Sequence, residues 1–215
     1  IFKSIMPEFA KRDCKGIMLV VANPVDILTY AAIKLSGMPT KRVIGSGTVL
    51  DTARLKYLLS EHLCVDSRSI HTFIIGEHGD SEFATWSSAN VSGVPLHDFC
   101  EMRGHHNHAE AMREIEASVR NSAYEIIKRK HATYYGIAMA VKRICEAIIR
   151  DEKSVLAVSS LMSGVYGIED VALSMPAIVG KDGVEDLIPV RLSAEEHKKL
   201  RESANVLKGV INDVL

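Results

Sequence analysis

The chain has 215 residues, 47% of them hydrophobic and 25% charged, with a formal net charge of −1. That is apolar mass enough for one large domain or one and a half small ones. The near-neutral balance argues against nucleic acid as a partner, which needs a basic excess. No uncharged apolar run reaches the roughly 18 residues of a membrane helix.

The start reads as if the chain began inside a helix, because Ile1-Phe2, Ile5-Met6 and Phe9 recur at helical spacing. With neither a basic n-region nor a long apolar h-region it does not read as a signal peptide. Residues 1–12 are predicted helical, with a kink at Pro7. Residues 17–22 are nearly all apolar and rich in β-branched side chains, as a parallel strand buried on both faces would be. Asn23-Pro24 ends that strand, since proline biases its predecessor away from α. A helix over 26–35, a short strand over 42–47 with a glycine-rich exit, and a helix over 51–63 follow. Strand, helix, strand, helix is the doubly wound parallel α/β pattern, and its ligands sit beyond the carboxyl ends of the strands. Asn23, Ser46 and Asp51 fall at that edge.

Residues 71–75 are predicted to form one strand running into Gly76-Glu77-His78-Gly79-Asp80. A turn built on two glycines presents His78 with little bulk beside it, and histidine exchanges protons near neutral pH. Residues 86–95 read as irregular. Gly104-His105-His106-Asn107-His108 reads as a solvated loop rather than a metal site, because no spaced carboxylate or cysteine completes a ligand set. The four cysteines, Cys14, Cys64, Cys100 and Cys145, lie far apart with no C-x-x-C, which suits free thiols in a reducing compartment.

Two long helices follow over 109–130 and 131–150, broken near Ala132-Thr133-Tyr134-Tyr135-Gly136, where aromatic and β-branched residues weaken helix propensity. Met112, Ile115, Val119, Ala123, Ile126 and Ile127 are expected inward on the first. Ile137, Val141, Ile144, Ile148 and Ile149 are expected inward on the second. Residues 155–161 and 171–179 read as strands, and Lys181-Asp182-Gly183 as a hairpin into 184–192. Ser193-Ala194-Glu195-Glu196 is a capping box for a closing helix that buries Leu200, Ala204, Leu207, Ile211 and Val214. The second part is therefore α+β.

Asp51 and Arg54 lie three apart on one helix. Spacing alone favours an intrahelical ion pair worth a few tenths of a kcal/mol. The other reading divides their tasks: Asp51 accepts from a nitrogen of His78 and stabilises the imidazolium, while Arg54 holds a substrate carboxylate bidentately. Asn23 is turn punctuation or a donor to a ligand. Thr133 is a helix-start residue or a hydroxyl donor to substrate.

Val21-Ala22-Asn23-Pro24-Val25-Asp26, Gly45-Ser46-Gly47-Thr48-Val49-Leu50-Asp51-Thr52-Ala53-Arg54, Gly76-Glu77-His78-Gly79-Asp80 and Ala132-Thr133-Tyr134-Tyr135-Gly136 occur in this order. Together they resemble the lactate/malate dehydrogenase family, and within it the bacterial NAD-dependent L-lactate dehydrogenases. Malate dehydrogenases usually carry glycine where Glu77 stands. L-2-hydroxyisocaproate dehydrogenases are neighbours with bulkier substrates.

The resemblance implies a role for each matching residue. His78 is the proton acceptor and Asp51 its partner. Arg54, Asn23 and Thr133 are substrate-side residues. Val21, Ala22, Asn23 and Ser46 touch the nicotinamide half of NAD. It implies lactate and pyruvate as substrates, no metal, a cytoplasmic homo-oligomer, typically a tetramer, and for some members activation by fructose 1,6-bisphosphate. His71 matches that effector's histidine, but Lys56 stands where its arginine would be, which keeps the charge and loses the fork. His131 takes a place that is usually glycine, where a ring would be expected to reshape the pocket.

The resemblance further implies a division into residues 1–46, the end of a nucleotide-binding Rossmann domain, and residues 47–215, an α+β substrate domain. No G-x-G-x-x-G follows a strand in this sequence, so the pyrophosphate cradle is not among these residues. The family's mobile loop with a second arginine is not among them either. The expectation is a chain missing its N-terminal half, with little or no turnover by itself and an unpaired strand edge. The competing expectation is a non-catalytic, truncated scaffold.

Overall fold

The computed structural model describes residues 1–12 and 14–214; Asp13 and Leu215, inside the two expected segments, lie outside it. The helix α1 (Phe2–Lys11) runs through Pro7 and buries Met6. Strand β1 (Met18–Val20), helix α2 (Val25–Leu35) and strand β2 (Val43–Gly45) form the first strand–helix–strand unit, and α3 (Val49–Leu63) follows. Next come five two-residue strands, β3 (Ile70–His71), β4 (Ile74–Ile75), β5 (Phe83–Ala84), β6 (Asn90–Val91) and β7 (Val94–Pro95). The helices α4 (Leu96–Met102), α5 (His108–Lys130) and α6 (Tyr135–Ile149) lead to three longer strands. These are β8 (Ser154–Ser163), β9 (Glu169–Gly180) and β10 (Gly183–Leu187), and α7 (Ala194–Val214) closes the chain.

β1 and β2 pair in parallel, Leu19 opposite Ile44. They do not form a sheet apart from the antiparallel strands. β2 takes β8 on its other edge, Gly45 opposite Ser159, and the order is β1-β2-β8-β9-β10. Gly45 permits this, since a Cβ there would lie 2.3 Å from Thr29 Oγ1 and 2.8 Å from Ser159 Cβ. One mixed sheet therefore joins both parts of the chain, and β1 is its open parallel edge.

Four apolar clusters flank this framework among the described residues, one of them around Met6, Val20, Ile33 and Val43 where α1 meets α2 and β1. Ile27 and Tyr30 of α2 meet Leu200, Leu207 and Ile211 of α7 over Leu173 and Met175. Val49 and Ile144 pack on Ile44, Val158 and Val179 from α3 and α6. Leu55, Leu59 and Leu63 of α3 join Ile70, Ile74, Met112 and Val119 beneath α5. The capping box forms as expected: Glu196 N–H donates to Ser193 Oγ at 3.2 Å, and Ser193 N–H to Glu196 Oε2 at 2.7 Å.

Several expectations are corrected. The run 71–75 is not one strand. β3 pairs with β6 and β4 with β5, and between them Phe73 N–H turns to Thr85 Oγ1 at 3.2 Å. The stretch read as irregular holds the β6–β7 hairpin and runs directly into α4. β10 stops at Leu187, where Ile188 N–H bonds Pro176 O at 2.7 Å. Ile149 (82% exposed) and Val214 (49%) end their helices and are exposed rather than inward, while Ile127 (46%) faces an open cleft.

Candidate active site

The cleft forms where β1 and β2 end side by side. Val21, Asn23 and Ser46 collect at those carboxyl ends, and Ser46 N–H donates to Val20 O at 2.8 Å. The Asn23–Pro24 peptide is cis. Arg54, His78 and Thr133 join them around a space of about 270 Å³, with Leu50, Ala123, Ile127 and Ile137 as apolar wall. Thr133 comes from the break between α5 and α6, where the chain reverses over the cleft. Ala22 is exposed at the same strand end and is not among the lining residues.

Two threonines bring the catalytic candidates together. Thr48 caps the N-terminus of α3 and Thr52 follows one turn later on the same side. Thr48 Oγ1 donates to Ile74 O at 2.6 Å, and Thr52 Oγ1 accepts from Ile74 N–H at 3.0 Å. α3 is thereby locked to β4, whose exit is the turn that carries His78. Asp51 stands between those threonines in the first turn of α3, 2% exposed, where a carboxylate is also favoured by the helix dipole.

His78 Nδ1 lies 2.7 Å from Asp51 Oδ2. The carboxylate only accepts, so Nδ1 carries the proton and Nε2 the lone pair in the neutral ring. Arg54 donates from a terminal nitrogen to Asp51 Oδ1 at 3.1 Å. Burial pushes the imidazole pKa down, but the bond to Asp51 and the charges of Asp51, Glu82 and Asp26 outweigh it, and the net shift is upward.

The turn is held from behind. Gly76, at φ +93°, pairs with Ser174 of β9, and a Cβ there would lie 2.9 Å from Ser203 Oγ. Ser203 on α7 accepts from Glu77 N–H at 2.8 Å and lies 2.9 Å from Ser81 Oγ.

Two buried acids went unread in the sequence. Asp26 accepts His78 N–H at 2.7 Å on one oxygen and Ser159 O–H at 2.5 Å on the other. Burial raises its pKa to about 6 against those bonds. Its signal was a lone acid in the first turn of an apolar helix. Glu82 is 4% exposed beside Asp51 and His78; burial first and then the Asp51 charge raise its pKa. Its signal was one acid before the apolar pair Phe83-Ala84. Asp51, His78 and Glu82 each offer a donor atom within 4.8 Å of the others, as a metal site would need. The Nδ1–Asp51 bond and the Arg54 contact spend Asp51's two oxygens, so the geometry is that of an acid–base pair with a guanidinium beside it.

The remaining candidates lie elsewhere. Lys56 is half-buried with its ammonium 5.7 Å from the Phe73 ring, lowered in pKa by burial, and lines a separate cavity of about 160 Å³ with Arg143. His71 is exposed on β3 and is not part of that lining. His131 sits in the left-handed cap of α5 at φ +63°, exposed and outside the cleft lining, so its ring does not reshape the pocket.

The NAD-binding domain of lactate/malate dehydrogenases matches residues 1–45, and their alpha/beta C-terminal domain matches residues 48–215. The chain belongs to the lactate/malate dehydrogenase family. Within that family it is 54% identical over 214 residues to L-lactate dehydrogenase 1 of Clostridium acetobutylicum, covering 100% of this chain and 68% of that protein. It is also 54% identical over 211 residues to an L-lactate dehydrogenase of Acetivibrio thermocellus, covering 98% and 67%. Among solved structures it resembles the ligand-bound minor L-lactate dehydrogenase of Enterococcus mundtii, with a TM-score of 0.92 at 41% identity over 99% of this chain and 69% of that one. A lactate dehydrogenase from a Medee basin deep-sea metagenome library matches with a TM-score of 0.93 at 45% identity, over 99% and 68%. The family member described here thus spans about two thirds of the length of its relatives.

Proposed function

We propose that this chain carries the substrate side of an NAD-dependent L-lactate dehydrogenase, which interconverts L-lactate and pyruvate. The observation that carries the proposal is the 2.7 Å contact between His78 Nδ1 and Asp51 Oδ2, on a cleft that Arg54, Asn23 and Thr133 also line. In lactate oxidation His78 Nε2 takes the hydroxyl proton while the C2 hydrogen leaves as hydride. Pyruvate remains, and the imidazolium is stabilised by Asp51. In reduction the imidazolium returns that proton to the carbonyl oxygen. Arg54 has a second guanidinium nitrogen free to clasp the substrate carboxylate. Asn23 and Thr133 orient the acid with polar hydrogens.

NAD, when bound, supplies the acceptor for the hydride. The residues present fit its nicotinamide end: Val21 is a half-open apolar surface (36% exposed) beside the polar Asn23 and Ser46, with Ala22 at the rim. The adenine end has no cradle within these 215 residues.

Finer parts of the reading belong to the same proposal. The nucleotide segment ends at residue 46 and the substrate segment starts at 47. The reaction serves fermentation at the end of glycolysis, in the cytoplasm; no helix among the described residues is long and apolar enough to cross a membrane. Exposed Tyr57, Met139 and Val206 support assembly into a homo-tetramer. The cavity shared by Lys56 and Arg143 supports an anionic effector such as fructose 1,6-bisphosphate, and His71 is carried into the proposal by the family match alone.

A second reading is a non-catalytic scaffold, since these 215 residues hold no G-x-G-x-x-G cradle of their own. The test joins this chain to the part of the Clostridium acetobutylicum relative that lies outside the matched segment. NADH oxidation is then followed with pyruvate, oxaloacetate and 2-oxoisocaproate. The expected result is the highest kcat/KM with pyruvate and a loss of about 10³-fold in His78→Gln. Preference for oxaloacetate or 2-oxoisocaproate would make it a malate or L-2-hydroxyisocaproate enzyme. No turnover with any of the three would leave the scaffold.

A further inference from the structure

The fold overturns the premise on which the histidine-rich loop was read as merely solvated, for a carboxylate does lie beside it. His97 and Glu101 are one turn apart on α4 and share a face. Gly104, at φ +76°, helps reverse the chain, and His108 opens α5 against that face. One donor atom from each of His97, Glu101 and His108 lies within 4.8 Å of the other two.

From this we infer that His97, Glu101 and His108 form a binding site for a zinc-type divalent ion, separate from the cleft. Three further observations point the same way. His108 Nδ1 is buried and has no hydrogen-bond partner, which is costly for a ring nitrogen that nothing else satisfies. It faces Glu101 Oε1 at 3.6 Å. That is too long for a hydrogen bond, yet close to the ~3.3 Å between two ligands held at about 2.05 Å on a tetrahedral ion. His97 Nδ1 lies 2.8 Å from His108 Nε2, so the two rings already stand side by side at the face that carries Glu101.

Two imidazoles and one carboxylate are the donor set that zinc takes with a water as fourth ligand. His106, whose Nδ1 lies 3.5 Å from the other Glu101 oxygen, is the protein's own candidate for that fourth place. His97 and Glu101 are exposed, so the rotations needed to close the shell meet little packing. The ion would pin α4 to the start of α5. Further along, α5 supplies Ala123 and Ile127 to the cleft wall.

The test uses the whole 215-residue chain and zinc alone, in competition with a chromophoric chelator, at pH 7.5 and pH 5.5. The expected result is micromolar binding at pH 7.5 that weakens at pH 5.5. His97→Gln/His108→Gln should lose one equivalent, Glu101→Gln should weaken it at least about tenfold, and His78→Gln should leave it unchanged. Zinc at a hundredfold excess over its dissociation constant should raise Tm by about 5 °C in the wild type and not in the double variant, whose metal-free Tm should match the wild type. Binding that is absent, or equal in stoichiometry and affinity in the double variant, or lost only in His78→Gln, would overturn the site.

Discussion

Asp51 serves two partners, one on each oxygen. Spacing offered an ion pair with Arg54 or a bond to a histidine as rival readings, and the fold contains both, at 3.1 Å and 2.7 Å. The i,i+3 pair was legible because helix geometry alone creates it. The histidine bond entered only as the rival reading and through the family resemblance, since spacing cannot show that α3 and the Gly76–Asp80 turn meet through Ile74. For Arg54 the pairing leaves one edge of a planar fork for substrate. In the joined enzyme, Arg54→Lys should therefore raise KM for pyruvate by a factor of about 30, from roughly 2 kcal/mol of lost charge-assisted bonding, as initial rates would show. An unchanged KM would remove Arg54 from substrate binding. His131 makes the opposite case, a residue with a backbone rather than a pocket role. At φ +63° it holds a position that glycine takes without strain. His131→Gly should stabilise by about 1 kcal/mol and raise Tm by about 2–4 °C in thermal unfolding, with no effect on the cleft.

Among elements, the turn between β4 and β5 is held from several sides. Gly76 combines a left-handed φ, a bridge to Ser174 and close approach to Ser203. Gly76→Ala should cost about 2 kcal/mol and lower Tm by about 4–8 °C; an unchanged Tm would mean α7 does not clamp the turn. The longer elements were legible wherever a period spanned several turns, as in α2, α3, α5 and α6. The five two-residue strands were not, because strands this short show no period, and a run such as 71–75 looks continuous although its halves pair in different sheets. α4 was hidden for a like reason: seven residues following Pro95 give barely two turns of pattern.

At the scale of the molecule, β1 keeps an unpaired edge, as the count of parallel strands foretold. What the count missed is that β2 pairs with β8 on its other edge, so residues 1–45 and 48–215 share one mixed sheet. These 215 residues should fold, and on the proposed reading they meet only the nicotinamide end of NAD. Adding NADH to this chain should give no saturable fluorescence change, and a clear micromolar titration would show that the berth alone suffices. The central claim is that Asp51 holds the proton of the His78 imidazole, with the nearby charges of Glu82 and Asp26 favouring the same protonated form. The raised His78 pKa fixes the sign: its contribution to stability is complete below the unfolded value near 6.5 and fades as pH rises through the folded one. Proton NMR titration of the His78 ring in the wild type and in Asp51→Asn measures this directly. The account predicts a midpoint above 6.5 that falls in the variant. A wild-type midpoint at or below 6.5, indifferent to Asp51, would contradict it.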